Sequence, residues 1–143
     1  MLITRTEAQL CWSAFVIVRL LRRWAAARAM EGNSLPSMVE LAVEIGEPTE
    51  VAVALHSLFQ LTEACLARPL EAECCCSRDL SSDERAVLVL LAKAPAQAPP
   101  LTSEEVPHGL PGALLWAAAA VRTFLGRPTP LQDGRRSVAR SSR

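Results

Sequence analysis

Apolar residues recur along this chain at three- and four-residue spacing, and polar pairs punctuate them: Thr4 with Glu7, Ser81 with Glu84, Thr102 with Glu105. In each pair a hydroxyl and a carboxylate three residues on can satisfy the amide donors that the first turn of a helix leaves open. A strand needs alternation with period two, which this pattern does not supply. β-branched residues are scattered within the helical pattern, and the chain has no Tyr, three Phe and three Trp. The expected fold is all-α, a compact bundle of about five helices without a sheet.

The expected helices follow from stripes and stops. Over residues 6–28, Leu10, Ala14, Ile17, Val18, Leu21 and Ala25 form one stripe, widened by Trp12 and Phe15. Arg19, Arg22 and Arg23 share a second face. Gly32 and Asn33, which tolerate a left-handed residue, are the expected stop. A second helix over 35–45 ends at Gly46, and a third opens at Pro48 and closes at Arg68-Pro69. The fourth, 82–94, contains Ala86-Val87-Leu88-Val89-Leu90-Leu91-Ala92, apolar all round, and is expected at the centre of the bundle. After a Pro-Ala linker and a short capped turn near 103–106, a fifth helix over 111–125 carries Ala113, Ala117 and Ala120 on one stripe, with Gly126 as its cap.

With 143 residues, 50% hydrophobic and 21% charged, the chain suits one domain, residues 1–126, followed by an Arg/Ser/Pro tail, 127–143, expected to be disordered. A chain of this size buries enough surface to fold without disulfides or metal. The net charge of zero hides a segregation: +4 over residues 1–30, −7 over 31–94 and +4 over 127–143. A basic first helix lying against acidic neighbours accounts for this without a polyanionic partner. Almost all the basic residues are Arg, and Ala and Pro abound, a composition that points to a high-GC, bacterial genome. The amino-terminal stretch is interrupted by Glu7 and Gln9, and the apolar blocks fall short of the ~20 residues a bilayer crossing requires. The expectation is a cytoplasmic protein with reduced thiols.

The run Cys74-Cys75-Cys76 is the one feature that reads as more than packing. Neighbouring side chains cannot all face one metal, so at most Cys74 and Cys76 converge, with Cys65 and His56 or His108 as further candidate ligands for zinc. The second cysteine pair of a usual zinc site is missing. A redox or metal sensor built on this run is one alternative reading. Glu105 and His108 have the Glu-x-x-His spacing of carboxylate-bridged metal bundles, but Pro107 breaks the helix that such a pair needs. No Gly-rich phosphate loop and no catalytic set of Ser, His and Asp occurs, so no catalytic or cofactor-binding residue is assigned.

Residues of the second and third helices resemble the DNA-binding helix-turn-helix motif over about twenty positions: Ala42 and Gly46 match its small residue and turn glycine, and Leu41, Ile45 and Leu55 its core. Glu47 stands where that motif is apolar, and the would-be reading helix offers Thr49, Glu50, Val53, His56, Ser57 and Gln60 without a cation for phosphate. Nucleic-acid binding is therefore the lesser alternative. The leading expectation is a non-enzymatic protein acting by protein association, as a homo-oligomer. Trp12, Arg19, Arg22, Arg23 and Trp24 are its candidate interaction residues, since aromatic and arginine side chains dominate contact energetics.

Overall fold

A computed structural model describes residues 4–95 and 109–125. They form five α-helices: α1 (Arg5–Ala29), α2 (Ser34–Ile45), α3 (Thr49–Leu66), α4 (Ser82–Lys93) and α5 (Gly109–Phe124), with no strand among the described residues. The all-α expectation holds. Thr102, Glu105, His108, the linker from residue 96, and the tail at 127–143 lie outside the described residues.

Two of the capping boxes open helices as expected. Glu7 N–H donates to Thr4 Oγ1 at 3.2 Å while Thr4 N–H donates to Glu7 Oε2 at 2.9 Å. Ser81 and Glu84 repeat the exchange at 2.9 and 3.0 Å. Between α1 and α2 the left-handed residue is Glu31, at φ 54°, rather than Gly32 or Asn33. Asn33 instead caps α2, its side chain accepting from Leu35 N–H. Gly46, at φ 79°, stops α2 as its sequence position implies.

The core is built on α3, which packs against α1, α2 and α5. Val51, Leu55, Leu58 and Phe59 are fully buried there with Leu20, Leu21 and Trp24 of α1, Met38 of α2 and Val121 of α5. Trp24 and Phe59 meet at a tilt, with ring centroids 5.3 Å apart. The expectation of a central fourth helix is corrected: of the described helices α4 packs against α1 and α5 alone, buries Asp83, Glu84, Val87 and Leu91, and leaves Val89 half exposed. Its all-round apolar run misleads because alanines at 86 and 92 cost little when left in water, and its docking depends on charges at its first turn. The chain end of α4 is tied to α5 by Arg122, whose guanidinium donates to the Ala94 carbonyl.

The front of α1 stands apart from this core. Residues 7–12 are exposed, and burial begins only at Val16.

Candidate functional site

Two regions stand out beyond the core. The first is the loop between α3 and α4, which has no regular structure yet is held by charge along its length. Arg68 makes a two-pronged pair with Asp83, 2.7 and 2.8 Å, and Asp83 Oδ2 also accepts from Glu71 N–H at 2.7 Å. The Arg68 hydrogen bonds, aided by the Glu71 amide, hold the Asp83 carboxyl down at about 2. Leu70 N–H donates to Glu63 Oε1, Ser81 Oγ donates to the Glu71 carbonyl, and the Leu70 side chain is buried.

Arg22 reaches the same loop from α1. Its Nε and Nη2 donate to Glu84 at 2.7 and 3.2 Å, and its remaining donors take the Ser77 carbonyl at 2.8 Å and the Asp79 carbonyl at 2.9 Å. Arg22 is 8% exposed and Glu84 0%, so this is a buried ion pair whose hydrogen-bonding capacity is largely used. Burial pushes the Glu84 carboxyl up, but the Arg22 bonds and the Ser81 amide pull harder, and the net direction is down. Glu84 thus serves as a helix cap and as the counter-ion of a residue 62 positions away.

This scaffold presents the cysteine run. Ser77 N–H donates to the Cys74 carbonyl at 3.0 Å, closing a turn over residues 74–77. Cys74, Cys75 and Cys76 are exposed, with the Sγ atoms of Cys74 and Cys76 3.5 Å apart. The hydrogen bond between them holds the Cys74 thiol below its ordinary value, helped by the Cys76 and Ser77 amides and opposed by partial desolvation and by Glu73; it raises Cys76. A cleft of about 590 Å³ beside the turn has an apolar floor of alanines and Leu41, with Arg19, Arg22 and Arg23 from the shared face of α1 and Glu73, Cys74 and Cys75 on its walls.

The structure thus brings Cys74 and Cys76 together, as their spacing implied. Cys65 is exposed on the last turn of α3, and His56 is half-buried on the same helix, where burial lowers its pKa. No three His, Cys, Asp or Glu side chains among the described residues are grouped to hold a metal ion, so the ligand set considered for zinc is not gathered there.

The second region is an apolar groove of about 640 Å³ between α3 and α5, with Val53, Ala54, Leu61, Trp116, Ala120 and Phe124 in its walls and Thr49, Glu50 and Ser57 from the exposed side of α3. The alanine stripe of α5 lines it, as its period suggested; its facing partner on α3 was not legible, because periodicity fixes a face and not what the face meets.

The five candidate interaction residues separate. Trp24 is 1% exposed in the core, and Arg22 is buried in the loop clamp, so neither lies on a free surface. Arg19 is exposed, with its guanidinium 5.5 Å from the Phe15 ring, and Arg23 is half-buried at the cleft. Trp12 is exposed, stacks on Phe15, and donates its indole N–H to Glu47 Oε1 at 2.7 Å. That bond accounts for Glu47, which is buried in the α2–α3 turn where the helix-turn-helix pattern wants an apolar residue; Glu47 Oε2 is buried without a partner.

The charge segregation resolves inside the molecule in part, through Arg22 with Glu84 and Arg28 with Glu63. On α3 the face of the supposed reading helix carries Glu50 and fronts the groove with α5, a setting that repels phosphate. No helix among the described residues is long and apolar enough to cross a membrane. Compared with known proteins, the chain matches no family model, no curated sequence and no solved structure.

Proposed function

We propose that this chain is a non-enzymatic helical protein that acts by association, two copies burying the α3–α5 groove against each other as a homo-oligomer. The observation that carries this reading is the groove itself: its walls are almost wholly apolar, and Val53 remains 49% exposed. Apolar surface gathered into one concave strip is a recurrent mark of a protein contact, whereas single exposed apolar residues are ordinary. The alanines at 113, 117 and 120 supply the small side chains that allow a second helix to approach closely. Charge pairing through Arg22 is not part of the contact, since Glu84 of the same chain takes it.

Native mass measured by light scattering on the full chain tests the reading. The expected result is a dimer or higher oligomer that Val53→Glu converts to monomer while helical circular dichroism is unchanged. A monomeric mass at high micromolar concentration, or an oligomer indifferent to both Val53→Glu and Ala120→Glu, contradicts it.

A further inference from the structure

We propose that Cys74 and Cys76 form a reactive dithiol, oxidised to an intramolecular disulfide by a small carboxylate-bearing disulfide received in the arginine-lined cleft beside them. The inference is independent of the association reading and rests on another surface. The two Sγ atoms stand 3.5 Å apart at the first and third positions of a turn closed by Ser77 N–H. A disulfide needs about 2.05 Å, a closure that side-chain rotation can supply. Adjacent cysteines are ~3.8 Å apart at Cα, shorter than ordinary bridges span, so Cys75 is not the partner of either. Arg22 holds the turn from beneath at the Ser77 and Asp79 carbonyls, which keeps the pair in register while both thiols face solvent.

The chemistry divides between the two sulfurs. The Cys76 thiol and the turn amides favour the thiolate on Cys74, making it the attacking group. That thiolate attacks one sulfur of R–S–S–R; the S–S bond breaks, a mixed disulfide forms on Cys74, and one RS⁻ leaves. The Cys76 thiolate then attacks Cys74 Sγ and expels the second RS⁻. Two protein thiols are oxidised to one disulfide, one small disulfide is reduced to two thiols, and the two protons lost by the protein end on the departing sulfurs. The cleft selects the oxidant: Arg22 is neutralised by Glu84, whereas Arg19 and Arg23 have no carboxylate partner among the described residues and can receive carboxylates. Glu73 on the same cleft limits how much anionic charge can enter.

The test uses the full chain with its five cysteines, incubated with glutathione disulfide, quenched by alkylation and cleaved after glutamate, which releases residues 74–84 as one peptide containing only the three-cysteine run. The expected product is a bridged peptide, two hydrogens lighter than its free-thiol form and shielded from alkylation at two sulfurs, in the native chain and in Cys75→Ser. Cys76→Ser should lose the lighter form and retain a glutathione adduct on Cys74, whereas Cys74→Ser should lose the lighter form and take up glutathione more slowly. An Arg19→Gln, Arg23→Gln double variant, checked for native helical dichroism, should form the bridge roughly three- to tenfold more slowly with glutathione disulfide. With the neutral bis(2-hydroxyethyl) disulfide its rate should be unchanged. A peptide that never lightens, a lightening that survives Cys74→Ser, or equal rates for native and double-variant chains with glutathione disulfide would overturn the proposal.

Discussion

The α3–α4 loop and the α3–α5 groove invert the usual division between ordered helices and loose connections. The loop has no regular hydrogen-bond ladder, yet the amides of Leu70, Glu71, Ser77, Asp79 and Ser81 all have partners. The groove lies between two regular helices whose backbones are satisfied internally, yet its side chains leave apolar surface in water. Order in the first comes from directional, charge-assisted bonds that require one geometry. The second is held by non-directional burial, which is incomplete within one chain. A segment of this protein can therefore be irregular and fixed, or helical and unfinished.

Removing the buried counter-ion should disturb the loop most. Glu84→Ala leaves the Arg22 guanidinium buried against two carbonyls and deletes half of the Ser81 capping box; the expected loss is about 3–5 kcal/mol of unfolding free energy. Urea titration reads it. Replacing both members by apolar residues of similar size should restore most of that loss; if the pair and the single variant are equally unstable, the clamp is not an ion-pair device.

A smaller effect is expected at the buried carboxylate of Glu47. Trp12→Phe keeps the stack on Phe15 but removes the donor to Glu47, leaving both carboxylate oxygens buried without a partner, at a cost of about 1–3 kcal/mol. In the Glu47→Leu background the same change should cost almost nothing, and a full cost there would show that the indole contributes by packing alone.

Acid provides a third test. Asp83 is depressed in the folded chain from 3.8 to about 2, so its contribution is present above the unfolded value and is lost as pH falls from near 4 through about 2. With Arg68 half exposed and screened by water, that contribution is roughly 1–2 kcal/mol. Thermal melts should show this increment fading across that interval in the native chain, while Arg68→Met melts show a smaller fade; parallel curves would remove the pair from the loop's stability.

Local signals carried much of this architecture. Thr4 with Glu7 and Ser81 with Glu84 mark helix starts within a few residues, and the stop at Gly46 follows from the left-handed position that glycine tolerates. The shared face of Arg19, Arg22 and Arg23 follows from helical angle alone. What those arginines meet does not, because the counter-ion of Arg22 lies 62 residues on and no periodicity links the two. The same limit misplaced Arg22 on an outer surface, and α4 at the centre: an amphipathic pattern reports which residues avoid water and is silent about which helix covers them. Glu47 was legible as an anomaly in an apolar position, and its explanation required Trp12, 35 residues away.

Amide hydrogen exchange on the full chain, followed as protein concentration is raised, confronts the central claim most directly. Protection along α5 and the facing side of α3 should rise with concentration, while protection at 70–84 stays constant. Protection of α5 that is the same at every concentration, alongside an unchanging native mass, would contradict it.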